Sequence, residues 1–129
     1  MASTRLLMSA SAAYLAALGV AASFLPREIM VHVGSPPGWF PELVIQIAGA
    51  AWLALAVLNW AARGNLLGGI YGRPVALANV ANFAIAAITL LKHLPQVRSS
   101  PALLAVTAAS TLFAVWFAYV LFGPGPQSR

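Results

Sequence analysis

Leu58-Asn59-Trp60-Ala61-Ala62-Arg63-Gly64-Asn65-Leu66-Leu67-Gly68-Gly69-Ile70-Tyr71-Gly72-Arg73-Pro74, with Asn79 and Asn82 following, is the densest polar run in the chain. It joins two apolar segments, each long enough to cross a bilayer, and so decides the fold class. A helix rising 1.5 Å per residue needs about 20 apolar residues to cross a hydrocarbon core of ~30 Å. Four segments reach that length, at about residues 6–25, 43–62, 74–92 and 101–122. The expected fold is an all-α membrane protein, a single domain of four transmembrane helices in an up-down-up-down bundle.

Composition points the same way. Of 129 residues, 61% are hydrophobic and 7% charged, too few charges for the surface of a soluble domain of this size. The net charge of +5 comes from Lys and Arg scattered singly between apolar segments, which argues against nucleic acid as a partner. With no cysteine, disulfides, thiolate nucleophiles and Cys-ligated metal centres are excluded.

The segment boundaries carry their own chemistry. The first span stops at Pro26 and contains no charge. A signal peptide is its rival reading, because Arg5 supplies a basic n-region and Ala21-Ala22-Ser23 offers small residues for cleavage. The apolar stretch exceeds the usual h-region of about 7–15 residues, which favours a retained helix. Pro41-Glu42 opens the second span and Gly64 closes it. Lys92, His93 and Pro95 mark the exit of the third. The fourth has Ser100 as a cap, Pro101 at its first helical position and Gly123-Pro124 at its end. The longest connection, residues 27–40, holds Ile29-Met30-Val31-His32-Val33 before the turn-forming Gly34-Ser35-Pro36-Pro37-Gly38, and is expected to lie in the membrane interface.

Arg5, Arg63, Arg73 and Arg129 fall on one side of the spans, and Arg27, Lys92 and Arg98 on the other. This slim majority places both termini and the connection between the second and third spans in the cytoplasm. Trp60, Tyr71, Trp116 and Tyr119 then form an inner aromatic belt, with Trp39 and Phe40 at the outer interface.

At 100° per residue, Trp52, Ala56, Asn59 and Arg63 share one stripe of the second span, and Asn79, Asn82, Ala86 and His93 one of the third. Thr107, Ser110, Thr111 and Ala114 share a face of the fourth, and Tyr14 aligns with Ala10, Ala17 and Ala21 in the first. These faces are expected to turn inward, since lipid satisfies neither an amide nor a hydroxyl. Tyr14, Trp52, Asn59, Asn79 and Asn82 then outline a polar seam opening to the cytoplasm beneath Arg63 and Arg73. Its members either hold the helices together or line a small cavity for a ligand or lipid head group.

Other candidates are thinner. Arg63 and Arg73 flank a glycine-rich connection and the start of a helix, which suits an anionic lipid phosphate, although no Walker pattern is present. Glu28, Glu42, His32 and His93 fall in one external layer but show no metal-ligand spacing, so neither metal nor any other cofactor is expected. Haem ligation is disfavoured because His93 lies beyond its span and His32 in a connection. Ion-coupled transport would require an ionisable residue deep in a span, and none is there.

Leu58-Asn59-Trp60, Ala62-Arg63-Gly64, Gly68-Gly69-Ile70-Tyr71, Arg73-Pro74-Val75 and Asn79 together resemble a pattern in small uncharacterised bacterial membrane proteins of four spans, similar in layout to the DoxX-like group. The resemblance implies a multi-pass protein of the bacterial cytoplasmic (inner) membrane and a four-helix bundle. It carries over no catalytic residue.

The expected function is that of a small accessory or structural subunit whose partners are membrane lipids and either another membrane protein or further copies of itself. A small-molecule or lipid carrier using the polar seam is the alternative, and an enzyme comes third because no catalytic set is present. The face containing Gln46, Gly49, Ala50 and Leu53, about 120° from Trp52, is the expected docking face for a partner.

Overall fold

The structure, a computed structural model, describes residues 2–65 and 72–123. The regular elements among them are all helical: α1 (Ala2–Phe24), α2 (Pro26–His32), α3 (Trp39–Ala62), α4 (Gly72–Lys92), α5 (Leu94–Val97) and α6 (Pro101–Phe122). Helices α1, α3, α4 and α6 are long and apolar enough to cross a membrane, as the four sequence segments require.

Local chemistry sets their ends. Pro26 has no N–H to continue the ladder of α1 and its ring pushes Leu25 out of the helical region, to φ −129° and ψ 45°. The same proline then opens α2. That helix closes on Gly34 at φ +80°, where the Gly34 N–H donates to the Val31 carbonyl (3.1 Å) and the Ser35 N–H to the Met30 carbonyl (2.9 Å). This is the paired ending that a left-handed residue after the last turn permits. The connection expected to lie in the interface is therefore largely helical, with Pro26 and Met30 buried and Val31 exposed. Helix α3 starts at Trp39, earlier than residue 43, with Pro41 inside the first turn and the Glu42 N–H closing that turn on the Gly38 carbonyl (3.0 Å). Ser100 caps α6 as expected, accepting from the Leu103 N–H, with Pro101 next.

The chain forms two compact units, one of Ser9–Ala61 and the other of the described residues on either side of it. In the first, α1 and α3 run antiparallel. Ser11 meets Asn59, Gly19 meets Gly49 and Leu53, and Ser23 meets Gly49 and Gln46, so positions rise along one helix as they fall along the other. A Cβ on Gly49 would lie 2.7 Å from both N and Oγ of Ser23, and one on Gly19 would lie 2.9 Å from the Gly49 carbonyl oxygen. At this crossing the backbones touch, and only glycine leaves room for them.

In the second unit α4 packs on α6 through an aromatic cluster. The Phe83 ring lies 5.0 Å from that of Phe113 and 5.9 Å from that of Phe117, the latter pair nearly parallel at 13°. All three rings are buried, so this is the core of the unit.

Three expected faces are corrected. In α1 the buried stripe is Ser11, Ala12, Leu15, Gly19 and Ala22; Tyr14 is half-buried and its expected companion Ala17 is exposed. In α4 the buried stripe runs through Val75, Ala76, Asn79, Phe83 and Ala87, leaving Asn82 and Ala86 half-buried and His93 exposed. On the α3 face assigned to a partner, α1 buries Gly49 and half-buries Leu53, and Gln46 donates to the Ser23 carbonyl at 3.3 Å, while Gln46 and Ala50 are exposed. The physical reason is common to all three. Close backbone approach and aromatic packing set which side turns inward, and they override the placement of scattered polar groups.

Candidate functional site

The residues singled out as a possible ligand seam divide between the two units. Tyr14, Trp52 and Asn59 belong to the α1–α3 unit; Arg63, Arg73, Asn79 and Asn82 belong to the other.

Asn59 is fully buried, on the same stripe as buried Ala56 and half-buried Trp52, as its spacing predicts. Its Nδ2 donates to Ser11 Oγ at 3.0 Å, from α3 to α1. An amide inside hydrocarbon needs such a partner, and a short hydroxyl side chain lets the helix that carries it stay close. Ser11 was not among the sequence candidates. Its signal is the small-residue spacing Ser11, Gly19 and Ser23 along one side of α1, which marks a close-packed face.

Asn79 is also fully buried, and its Nδ2 donates to the Val75 carbonyl one turn earlier in the same helix, at 2.9 Å. Hydroxyls on α6 behave alike: Thr107 Oγ1 donates to the Leu103 carbonyl at 2.7 Å and Thr111 Oγ1 to the Thr107 carbonyl at 2.9 Å. These side chains bond their own helix backbone, which is how Ser, Thr and Asn are accommodated where water is absent. Asn82 differs, because no hydrogen bond among the described residues involves its carboxamide.

Arg63 is half-buried just beyond α3, and Arg73 is exposed as the second residue of α4. Residues 66–71 lie outside the described part, and with them most of the glycine-rich connection between these arginines and Tyr71 of the expected aromatic belt. Of the remaining belt residues, Trp60 and Tyr119 are exposed and Trp116 half-buried; Trp39 and Phe40 are exposed and stacked edge to face at 5.6 Å.

Among the described residues no group of three or more His, Asp or Glu side chains is placed to hold a metal ion. His32 ends α2, exposed. His93 Nδ1 lies 2.9 Å from the Thr89 carbonyl oxygen, a contact that puts the ring proton on Nδ1.

Four membrane-length helices, with polar groups turned onto helix backbones and helix neighbours, define an all-α, multi-pass integral membrane protein. No protein-family model matches the chain, and no curated protein or solved structure matches it either.

Proposed function

We propose that the protein is a small accessory or structural subunit of a membrane, acting through its contacts with lipid and with other transmembrane helices. The observation that carries this reading is the use made of the polar side chains within the spans. Asn59 joins α3 to α1, while Asn79, Thr107 and Thr111 bond their own helix backbones. Donors used in this way hold a scaffold in shape, whereas a carrier would aim them at its cargo. The outward surface agrees: Ile47 and Val57 on α3, Ile85 and Ile88 on α4, and Leu112 and Val115 on α6 are each more than half exposed. Such a surface is matched to acyl chains or to another apolar helix.

The location that fits is the bacterial cytoplasmic membrane with both termini in the cytoplasm, resting on the DoxX-like resemblance and on the excess of arginine at that end. The test is purification of the tagged protein from its own membrane in mild detergent, with mass spectrometry of whatever accompanies it. A stoichiometric protein companion is the expected result. A homogeneous small assembly carrying only a lipid or a small molecule would overturn the accessory reading in favour of a carrier.

A further inference from the structure

Asn82 stands at the centre of α4, with the helix ends Gly72 and Lys92 each ten positions away. At 1.5 Å per residue that is ~15 Å from either end, the midplane of a hydrocarbon core of ~30 Å. Neither water nor a lipid head group reaches this depth. A carboxamide carries two N–H donors and a carbonyl acceptor, and in hydrocarbon these are met either by its own helix backbone, as Asn79 Nδ2 is by the Val75 carbonyl, or by another helix. The side chain is half-buried, and no hydrogen bond among the described residues involves it. Asn59 and Asn79, the other asparagines of the spans, are both buried and bonded.

The surface beside Asn82 is shaped for a close neighbour. Ala78, one turn earlier, and Ala81 are exposed, and Ala86, one turn later, is half-buried. Methyl side chains at these positions let a second helix backbone come within reach of the amide.

We propose that α4 is a self-association helix, pairing with α4 of a second copy of this chain so that the two Asn82 carboxamides exchange hydrogen bonds at the membrane midplane. An amide is its own complement, donor to acceptor in both directions. A two-fold axis along the membrane normal brings the same residue of two identical chains to the same depth without further adjustment. A carboxylate or ammonium partner would have to bury a charge at the midplane, a far more costly group for its own helix. The proposal rests on the reading that this protein acts through helix–helix contacts, and names the first such contact.

The chain has no cysteine, so a single introduced thiol reports without background. The full-length protein carrying Ala78→Cys, with Asn82 intact, is purified, placed in liposomes at high lipid dilution and oxidised. It is expected to give a covalent dimer, whereas Leu112→Cys, exposed in mid-α6, stays monomeric. Adding Asn82→Leu to Ala78→Cys should reduce the dimer about tenfold at fixed dilution, equivalent to ~1.4 kcal/mol. Asn82→Gln, which keeps the amide, should retain it. Crosslinking of Ala78→Cys no greater than that of Leu112→Cys would overturn the proposal. So would a dimer yield indifferent to Asn82→Leu, or exclusive crosslinking to a different protein in native membranes. The accessory role fails separately, on the purification described above, since that experiment does not depend on Asn82.

Discussion

Replacing Gly49 by alanine should loosen the crossing of α1 and α3, and the size of the effect follows from the contact distances. The added Cβ would sit 2.7 Å from Ser23 N and Oγ and 2.9 Å from Ala22 Cβ, where non-bonded carbons prefer about 3.5–4.0 Å. Relief requires the helices to part by on the order of 1 Å, because two of these atoms belong to backbone or to a Cβ that cannot rotate away. The Gln46 Nε2 to Ser23 carbonyl bond, already 3.3 Å long, is then lost. Overpacking costs ~1–3 kcal/mol and the interhelical bond ~0.6 kcal/mol, against ~0.8–1.0 kcal/mol gained from the better helix propensity of alanine. The expected net destabilisation is ~1–2 kcal/mol. Gly64→Ala is the matched control, since a Cβ there meets nothing within 4 Å and the residue has no left-handed φ. It should be neutral or stabilising by ~0.4–1 kcal/mol. Reversible unfolding in mixed detergent and dodecyl sulfate micelles, followed by circular dichroism, reads both. A Gly49→Ala protein that gains ~1 kcal/mol, as propensity alone dictates, would refute the close crossing.

Three further outcomes follow from other contacts. A double-mutant cycle of Asn59→Leu and Ser11→Ala should give a coupling of ~0.6 kcal/mol, at most ~1.7, in the same unfolding assay; zero coupling would show that the 3.0 Å contact contributes nothing. Phe83→Ala removes the ring shared by Phe113 and Phe117, and the lost burial together with the cavity left behind should cost ~3–5 kcal/mol. Phe83→Leu should cost about half as much by the same measure. Ser100→Ala should lower stability by ~0.5 kcal/mol, the small end of the range for a lost cap, because its bond to the Leu103 N–H is long at 3.4 Å; hydrogen exchange at the start of α6 should rise with it.

The four long helices were legible because hydropathy over about 20 residues is a strong signal and prolines sit at the breaks. The limits of α6 were read to the residue, since Ser100, Pro101 and Gly123 each have a specific backbone role. Asn59 and Ala56 were placed on the correct face of α3 by period alone. The faces of α1 and α4 were harder to read because both are apolar nearly all round, leaving little amphipathic contrast to fix a rotation. In that situation small residues carry the information. Ser11, Gly19 and Ser23 predict the α1–α3 contact better than Tyr14 does, because the distance between backbones is limited by the smallest side chains. Phe113 and Phe117 were missed for the opposite reason: in a helix that is apolar throughout, a buried ring and a lipid-facing ring have the same sequence signature. Helix α2 was obscured by its length, seven residues between Pro26 and Gly34, too short for periodicity to show.

The most direct test of the architecture uses single cysteines introduced at Ser3, Ser35, Asn65 and Ser99, at the start of α1 and in each connection between the long helices, in a chain that has none of its own. Each variant is labelled with a membrane-impermeant maleimide, from one side of intact cells and again from the other side of inverted vesicles. Crossing by α1, α3 and α4 predicts that Ser3→Cys and Asn65→Cys react only from one side and Ser35→Cys and Ser99→Cys only from the other; with the proposed orientation the first pair reacts from the cytoplasmic side. Labelling of Ser35→Cys and Asn65→Cys from the same side would mean that α3 does not cross the membrane and would contradict the account.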